Sequence, residues 1–290
     1  MTSSAALILI VFFAMLVVKV PVPFAVGSAA LVGLIQANIG LQLITSSPFN
    51  QLNSFTLLAV PFFLLAGNFM STGAMANRML NVARVFFGHN KSGIAITTIV
   101  ACAFFAALSG SAVATLACIG SLTIPMMVKE GYKLPYATAI AASGAIVGPI
   151  IPPSVIMCVY GVQTGCSISD LFVGGLVPGL LMSLSFVLVI KTTMKRDNNV
   201  DFSVAAEGSQ EKYTAQDKLR AVWEGKWALL MPVIVLGGIY GGIFTPTESA
   251  IVACDYALII GLFVARDLSL KDIYKCFRDC VAVMGGLMIL

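Results

Sequence analysis

The feature that most constrains the fold is residues 134–162, LPYATAIAASGAIVGPIIPPSVIMCVYGV, an apolar run of membrane-spanning length interrupted by GPIIPPS at 148–154. Three prolines and a glycine in seven residues cannot continue a helix. Each proline lacks a backbone donor, clashes with the carbonyl four residues back and pushes its predecessor out of the helical region. In hydrocarbon each orphaned backbone group costs several kcal/mol, so such a break survives only where protein buries it or where it lines a cavity. A helix over 134–148 rises about 22 Å, which puts the break inside the membrane.

The rest of the chain agrees with a membrane setting. Hydrophobic residues make up 59% of it and charged residues 10%, against about 25% charged in an ordinary soluble domain. Apolar spans fall at 4–18, 22–40, 53–71, 92–128, 134–163, 170–191, 227–243, 246–265 and from 280 onward. Lys and Arg in short loops mark the cytoplasmic side. Arg78, Arg84 and Lys91 place one loop inside. Lys191, Lys195, Arg196, Lys212, Lys218, Arg220 and Lys226 place another there. The uncharged stretch 38–52 reads as an external loop, which puts Lys19 inside and the N-terminus outside. The apolar N-terminus has no basic leader and no small-residue cleavage site, so it reads as a first span.

Between Lys91 and Lys129 both flanks are basic, so the chain must enter the membrane and return. Ser109–Gly110–Ser111 splits the stretch into two arms of 17 residues, each about 26 Å long and shorter than a hydrocarbon core of about 30 Å. A re-entrant helical hairpin with its tip at 109–111 fits better than two full spans. Its tip and the GPIIPPS break reach comparable depth, which points to one shared site. The break frees carbonyls near Ala145, Gly148 and Pro149, the negative end of a half-helix dipole, and hard neutral oxygens of this kind suit Na⁺. The half-helices that restart near Ser111, Ala112 and Ser154 present free N–H groups suited to a carboxylate. Asn53 and Asn68 are candidates for a pathway or for bonds between helices. Glu248 lies at a helix start, where its charge favours the dipole, and Asp255 is an acid in mid-span.

Two further patterns bear on organisation. MLVVKVPVPFAVGSAALVGLI near the start and VLGGIYGGIFTPTESAIVACDYALIIGLF at 235–263 share a layout of apolar helix, proline turn and small-residue-rich helix. The first is followed by an uncharged loop and the second by ARDLSLKDIYKCFRDC, so one element faces out once and in once. Inverted repeats with broken helices are characteristic of secondary transporters. Residues 73–88 and TAQDKLRAVWEGKW at 214–227 read as interfacial arms, the first with a stripe of Met75, Met79, Val82 and Phe86. The second carries Leu219, Val222, Trp223 and Trp227 on one face and a Thr214/Asp217 capping box. The seven cysteines have no ligand spacing and read as structural thiols; His89, the only histidine, reads as a loop residue. No histidine pair, GxSxG, metal-ligand cluster or dense acid pair is present, so the reading is not an enzyme, and no nucleic-acid partner is expected.

FFAALSGSAVATLACIG, ASGAIVGPIIPPSVI, NSFTLLAVPFFLLAGNFM and GGIFTPTESAIVA resemble the large membrane subunit of tripartite ATP-independent periplasmic (TRAP) transporters, over nearly the whole chain. Divalent-anion/sodium symporters share that architecture with other tip residues. The resemblance implies an all-α polytopic membrane protein of the bacterial inner membrane, an inverted-repeat elevator-type transporter. It implies Na⁺-driven import of a small organic acid such as a C4-dicarboxylate, sialic acid or sugar acid. It also implies two partners within the lipid bilayer system, a small four-helix membrane subunit and a periplasmic substrate-binding protein. By motif, the cation site falls on Ser109, Gly110 and Ser111 with Gly148, Ile151 and Pro153, and FTPTES belongs to the scaffold. Many members carry an acid where this chain has Thr115. The expected organisation is a first repeat over 1–196, with scaffold helices 1–71, arm 73–88, hairpin 92–128, broken helix 134–163 and helix 170–191. A cytoplasmic linker follows over 197–226, and 227–290 begins a second repeat that reads as truncated. A non-transporting membrane scaffold is the competing reading, favoured by truncation.

Overall fold

The computed structural model describes residues 2–72, 74–88, 92–196, 200–201 and 213–289. His89, Lys91 and Lys212, and with them residues 197–199 and 202–212 of the expected linker, lie outside the described residues. Among the described residues the chain is helical, with one isolated β-bridge between Tyr132 and Val200. It divides into two compact units, one formed by the residues up to Phe55 with those from Val281 onward, the other by Thr56–Cys280.

The smaller unit holds α1 (Thr2–Val17), α2 (Val22–Gln36) and α3 (Gln42–Leu52). The chain leaves α1 with Lys19 left-handed at φ 65°, and the Val20 N–H reaches back to the Met15 carbonyl at 3.0 Å, the double-bonded helix stop usually built on glycine. Pro21 and Pro23 then open α2, where their fixed φ suits a first turn. α2 stops in the same way on Asn38, φ 53°. Stretch 38–52, expected as a loop, contains a helix despite Pro48, and the Thr45 and Ser46 hydroxyls donate to the Gln42 carbonyl within it.

The larger unit contains α4 (Ala59–Thr72), α5 (Met75–Phe87), α6 (Gly93–Ser109), α7 (Ala112–Lys129), α8 (Leu134–Ala145), α9 (Val155–Thr164), α10 (Ile168–Arg196), α11 (Ala215–Tyr240) and α12 (Pro246–Val264). It also contains the start of α13 (Leu270–Ile289). Among the described residues, five stretches are long and apolar enough to cross a membrane: Phe55–Thr72, α7, Ile168–Met194, α11 and α12.

α6 is the centre of this unit. It is apolar nearly all round, and Ala95, Ile99, Ala101, Cys102, Phe105 and Ala106 are fully buried, while the face with Phe104 stays open, as expected of a helix packed on most of its sides. α4, α5, α7, α8 and α10 pack around it. α12 lies on α4, where Ala250, Ala253 and Ala257 allow close approach.

Two expectations change. The Met75–Met79–Val82 stripe of α5 is buried against α6 and α11 rather than lying on lipid or solvent; only Phe86 at its end stays exposed. The expected arm at 214–227 is not separate from the span that follows, because α11 runs unbroken from Ala215 to Tyr240. Its Thr214/Asp217 capping box is formed. Of the face read as one apolar stripe, Leu219 and Trp223 are exposed, and the Lys226 ammonium sits 3.4 Å over the Trp223 ring. The all-α membrane architecture stands.

The paired layout of the two chain segments has a local counterpart. α11 stops at Gly242 (φ 68°), with the Ile243 N–H on the Gly238 carbonyl, and Pro246 opens α12. This repeats the stop at Lys19 and the proline start of α2.

Candidate functional site

α6 ends at Ser109, and Gly110 is left-handed at φ 58°. The chain reverses there and α7 runs back along α6, so that Thr98 near the start of one arm lies 3.9 Å from Met127 Sδ near the end of the other. α7 opens on Ser111, extended, whose Oγ accepts the Ala114 N–H. A π-turn at Leu116–Gly120 follows.

The second interruption is built in the same way. α8 ends at Ala145, residues 146–153 form turns, and α9 opens on Ser154, extended, whose Oγ accepts the Met157 N–H at 3.3 Å. Prolines 149, 152 and 153 supply the stop that Gly110 supplies at the tip.

The two interruptions touch. A Cβ placed on Gly110 would lie 2.5 Å from the Pro153 carbonyl oxygen, and one on Gly148 would lie 2.9 Å from the Ser111 carbonyl carbon and oxygen. The tip therefore seats backbone to backbone on the break, an approach only hydrogen in place of a side chain permits. Gly67 of α4 closes the other side, where a Cβ would lie 2.9 Å from Ser109 Cα. Gly179 of α10 takes the Ile151 side chain.

Ser109, Gly110, Gly148, Ile151 and Pro153, the residues singled out in sequence, are all buried here, and Ser111 is half-buried. Among the described residues, no hydrogen bond reaches the carbonyls of Ser109, Gly110, Gly148, Ile151 or Pro153. Other carbonyls expected to be free are taken: the Gly148 N–H donates to Ala145 at 2.9 Å, and the Ser154 hydroxyl donates to Pro149 at 2.7 Å. No residue of the tip or of the break has an ionisable side chain, so a cation there would meet only neutral oxygens.

Thr115 was not singled out as a site residue. Its hydroxyl is buried, donates to the Ser111 carbonyl at 2.8 Å and lies 3.0 Å from Ser109 Oγ. Its sequence signals are its place one helical turn after the tip and the acid that many members of the resembling family carry there. The two candidate carboxylate ends also differ. Ser154 is fully buried and its hydroxyl is spent on Pro149. Ser111 and Ala112 are partly exposed, and the Ala112 and Val113 N–H groups donate to nothing among the described residues.

Of the weaker candidates, Asn68 donates to the Cys276 carbonyl at 3.4 Å. It also lines a cavity of about 420 Å³ beside α7, with Ser71, Thr72, Asn77, Cys118 and Ser121. Asn53 ends α3 in the other unit and is exposed. Glu248 closes a capping box, its Oε2 accepting the Thr245 N–H and hydroxyl at 2.8 Å. Asp255 is exposed at the middle of α12. All seven cysteines are free thiols, five of them buried.

Comparison with known proteins bears on this geometry. Residues 9–290 match the family model described as tripartite ATP-independent periplasmic transporter, DctM component. The chain is 43% identical over 281 residues to the isethionate TRAP transporter permease protein DctMQ of Oleidesulfovibrio alaskensis, covering 96% of this chain and 43% of that protein. It is 40% identical over 267 residues to the C4-dicarboxylate TRAP transporter large permease protein DctM of Vibrio cholerae, covering 91% and 57%. It is 34% identical over 293 residues to the sialic acid TRAP transporter permease protein SiaT of Haemophilus influenzae, covering 100% and 46%. The chain spans about half the length of these curated relatives.

Proposed function

The chain belongs to the DctM component family of tripartite ATP-independent periplasmic transporters, and from that premise we propose that it provides one cation half-site of a Na⁺-driven importer of a small organic acid. The observation that carries the reading is the contact of the hairpin tip with the helix break. Five buried carbonyls there, on Ser109, Gly110, Gly148, Ile151 and Pro153, have no hydrogen-bond partner among the described residues. A buried backbone carbonyl normally has one. Carbonyl oxygens freed at two broken helices are the kind of ligand Na⁺ takes in secondary transporters.

The organic acid is held, on this reading, at the open end of α7. The free Ala112 and Val113 N–H groups and the positive end of the helix dipole favour a carboxylate there. Cation and anion then neutralise one another at adjacent sites, which is the physical basis of symport. The neutral polar lining of the cavity beside α7 supports a place for Asn68 on the substrate's path. C4-dicarboxylates, sialic acids and isethionate are the substrate classes that the relatives' names supply.

The same reading places the chain in the bacterial inner membrane with its N-terminus periplasmic. Its partners are a small four-helix membrane subunit and a periplasmic binding protein, and the hairpin and broken helix move as an elevator against a scaffold. The test is uptake into proteoliposomes holding the full-length large subunit and its small subunit, with binding protein outside. Radiolabelled succinate, sialic acid and isethionate are each tried with and without an inward Na⁺ gradient. Accumulation that needs both Na⁺ and binding protein is the expected result. A correctly folded complex that accumulates none of them, and whose melting temperature is the same in Na⁺ as in choline, overturns the reading and leaves a scaffold role.

A further inference from the structure

The cavity beside α7 lies between α4, the start of α5 and α7, and its 420 Å³ is within the range of sites for small organic molecules. Its polar lining is Asn68, Ser71, Thr72, Asn77, Cys118 and Ser121. Ala114 lines it too, so the cavity adjoins the first turn of α7, where the Ala112 and Val113 N–H groups are free.

A hydroxyl has one proton and two lone pairs, so the place of the proton decides what the oxygen offers. The Ser71 and Thr72 hydroxyls both donate to the Asn68 carbonyl at 2.9 Å, and the Ser121 hydroxyl donates to the Cys118 carbonyl at 2.9 Å. The Cys118 thiol donates to the Ser71 carbonyl at 3.9 Å. Asn68 spends an amide N–H on the Cys276 carbonyl at 3.4 Å and keeps its side-chain oxygen. Each of these protons goes to a backbone carbonyl, and lone pairs are what remains for the cavity. Asn77 makes no side-chain hydrogen bond among the described residues, and none of the described residues lining the cavity is a lysine, arginine or histidine.

A lining rich in acceptors and without a cation sorts ligands by what they donate. A hydroxyl group brings a proton to a lone pair. An ionised carboxylate only accepts. In this cavity a second carboxylate would exchange its water for lone pairs that repel it, with no opposing charge. An alkyl tail would strand the acceptors without partners.

We propose that this cavity takes the uncharged, hydroxyl-bearing tail of the transported acid, so that the substrate class is a polyhydroxy monocarboxylate and not a dicarboxylate. The inference rests on the carboxylate end proposed above at Ala112 and Val113.

The experiment uses the full-length large subunit purified with its small subunit. Binding protein is left out, so that the choice is made by the membrane complex alone. Melting temperature in Na⁺ is followed against the concentration of D-gluconate, succinate and hexanoate, with choline in place of Na⁺ as reference. Gluconate is expected to act at a concentration at least about tenfold lower than either of the others, because a site built to bond hydroxyls rejects analogues that lack them. Succinate or hexanoate acting at the same concentration as gluconate overturns the proposal and leaves the Na⁺-coupled reading standing. If no acid raises the melting temperature in Na⁺ above that in choline, both fall.

Two variants sharpen the result. Asn77→Lys puts a cation into the wall and should move the preference towards succinate. Ser71→Ala with Ser121→Ala removes two acceptors and should weaken gluconate by roughly a few-fold while leaving hexanoate where it was. A folded Asn77→Lys that keeps the original order of acids overturns the proposal, as does a folded double variant that binds gluconate as before. The comparison of the three acids on the unaltered protein decides the matter if neither variant folds.

Discussion

The hairpin tip and the broken helix solve one problem with different residues. Each ends a helix within an apolar stretch, and each restarts it on an extended serine that caps the next turn. At the tip a left-handed glycine makes the stop, and the loose ends are held by a hydroxyl pair, Ser109 and Thr115. At the break prolines make the stop, and the Ser154 hydroxyl holds the Pro149 carbonyl. The difference lies in where each gets its rigidity. The break is stiff through its own covalent structure, because proline has little freedom to lose. The tip is built from small, flexible residues and gets its shape from what it rests on.

Gly110→Ala tests that dependence most severely. The alanine needs a left-handed conformation, at about 1–2 kcal/mol, and its Cβ meets Pro153, an overpacking cost of about 1–3 kcal/mol. Loss of Na⁺-dependent uptake and a clear drop in melting temperature are expected. A variant with normal uptake would mean that the tip does not rest on the break during transport. Gly148→Ala has the same crowding, here against Ser111, without a left-handed backbone. A smaller loss, about 1–3 kcal/mol, should appear in melts of the purified protein. A loss equal to that of Gly110→Ala would show that contact alone, and not backbone conformation, separates the two positions.

The serine caps give a finer comparison. Ser154→Ala removes a buried cap and a 2.7 Å bond, and should cost about 1–2 kcal/mol. Ser111→Ala removes a half-exposed cap at 3.4 Å and should cost less than about 1 kcal/mol. Equal losses in paired denaturation curves would break the proposed asymmetry. Thr115→Val is expected to lower stability by about 1 kcal/mol. It should raise the Na⁺ concentration for half-maximal uptake a few-fold, since the Ser111 carbonyl and Ser109 Oγ lose the hydroxyl that ties them and the carbonyl keeps only the Thr115 N–H at 3.0 Å and the Ser109 hydroxyl at 3.4 Å. An unchanged Na⁺ dependence would make Thr115 a packing residue only.

Much of this site was legible in the residues. Proline and glycine declare their backbone effects locally, so the positions of tip and break could be read off directly. Thr214 and Asp217 declared their cap for the same reason. The occupancy of individual carbonyls could not be read. Ala145 and Pro149 are satisfied by donors three and five residues away, which depends on how the turns fold. The burial of the α5 stripe was equally hidden, because an amphipathic face shows that something covers it and not whether that is lipid, water or another helix. The helix within 38–52 was missed because Pro48 and the polar Thr45–Ser46 pair read as loop chemistry.

The amino-acid order by itself determined where helices stop and restart, the apolar character of the spans and the absence of ionisable groups at tip and break. These follow from single-residue sterics, hydrogen-bonding capacity and hydropathy, which need no knowledge of distant parts of the chain. Only the tertiary structure decided that Gly110 seats on Pro153, that Gly67 closes on Ser109, that Thr115 ties the tip and that Asp255 faces outward. Each of these is a contact, or a missing contact, between residues brought together by packing, and the distance between two helices is set by every side chain that separates them.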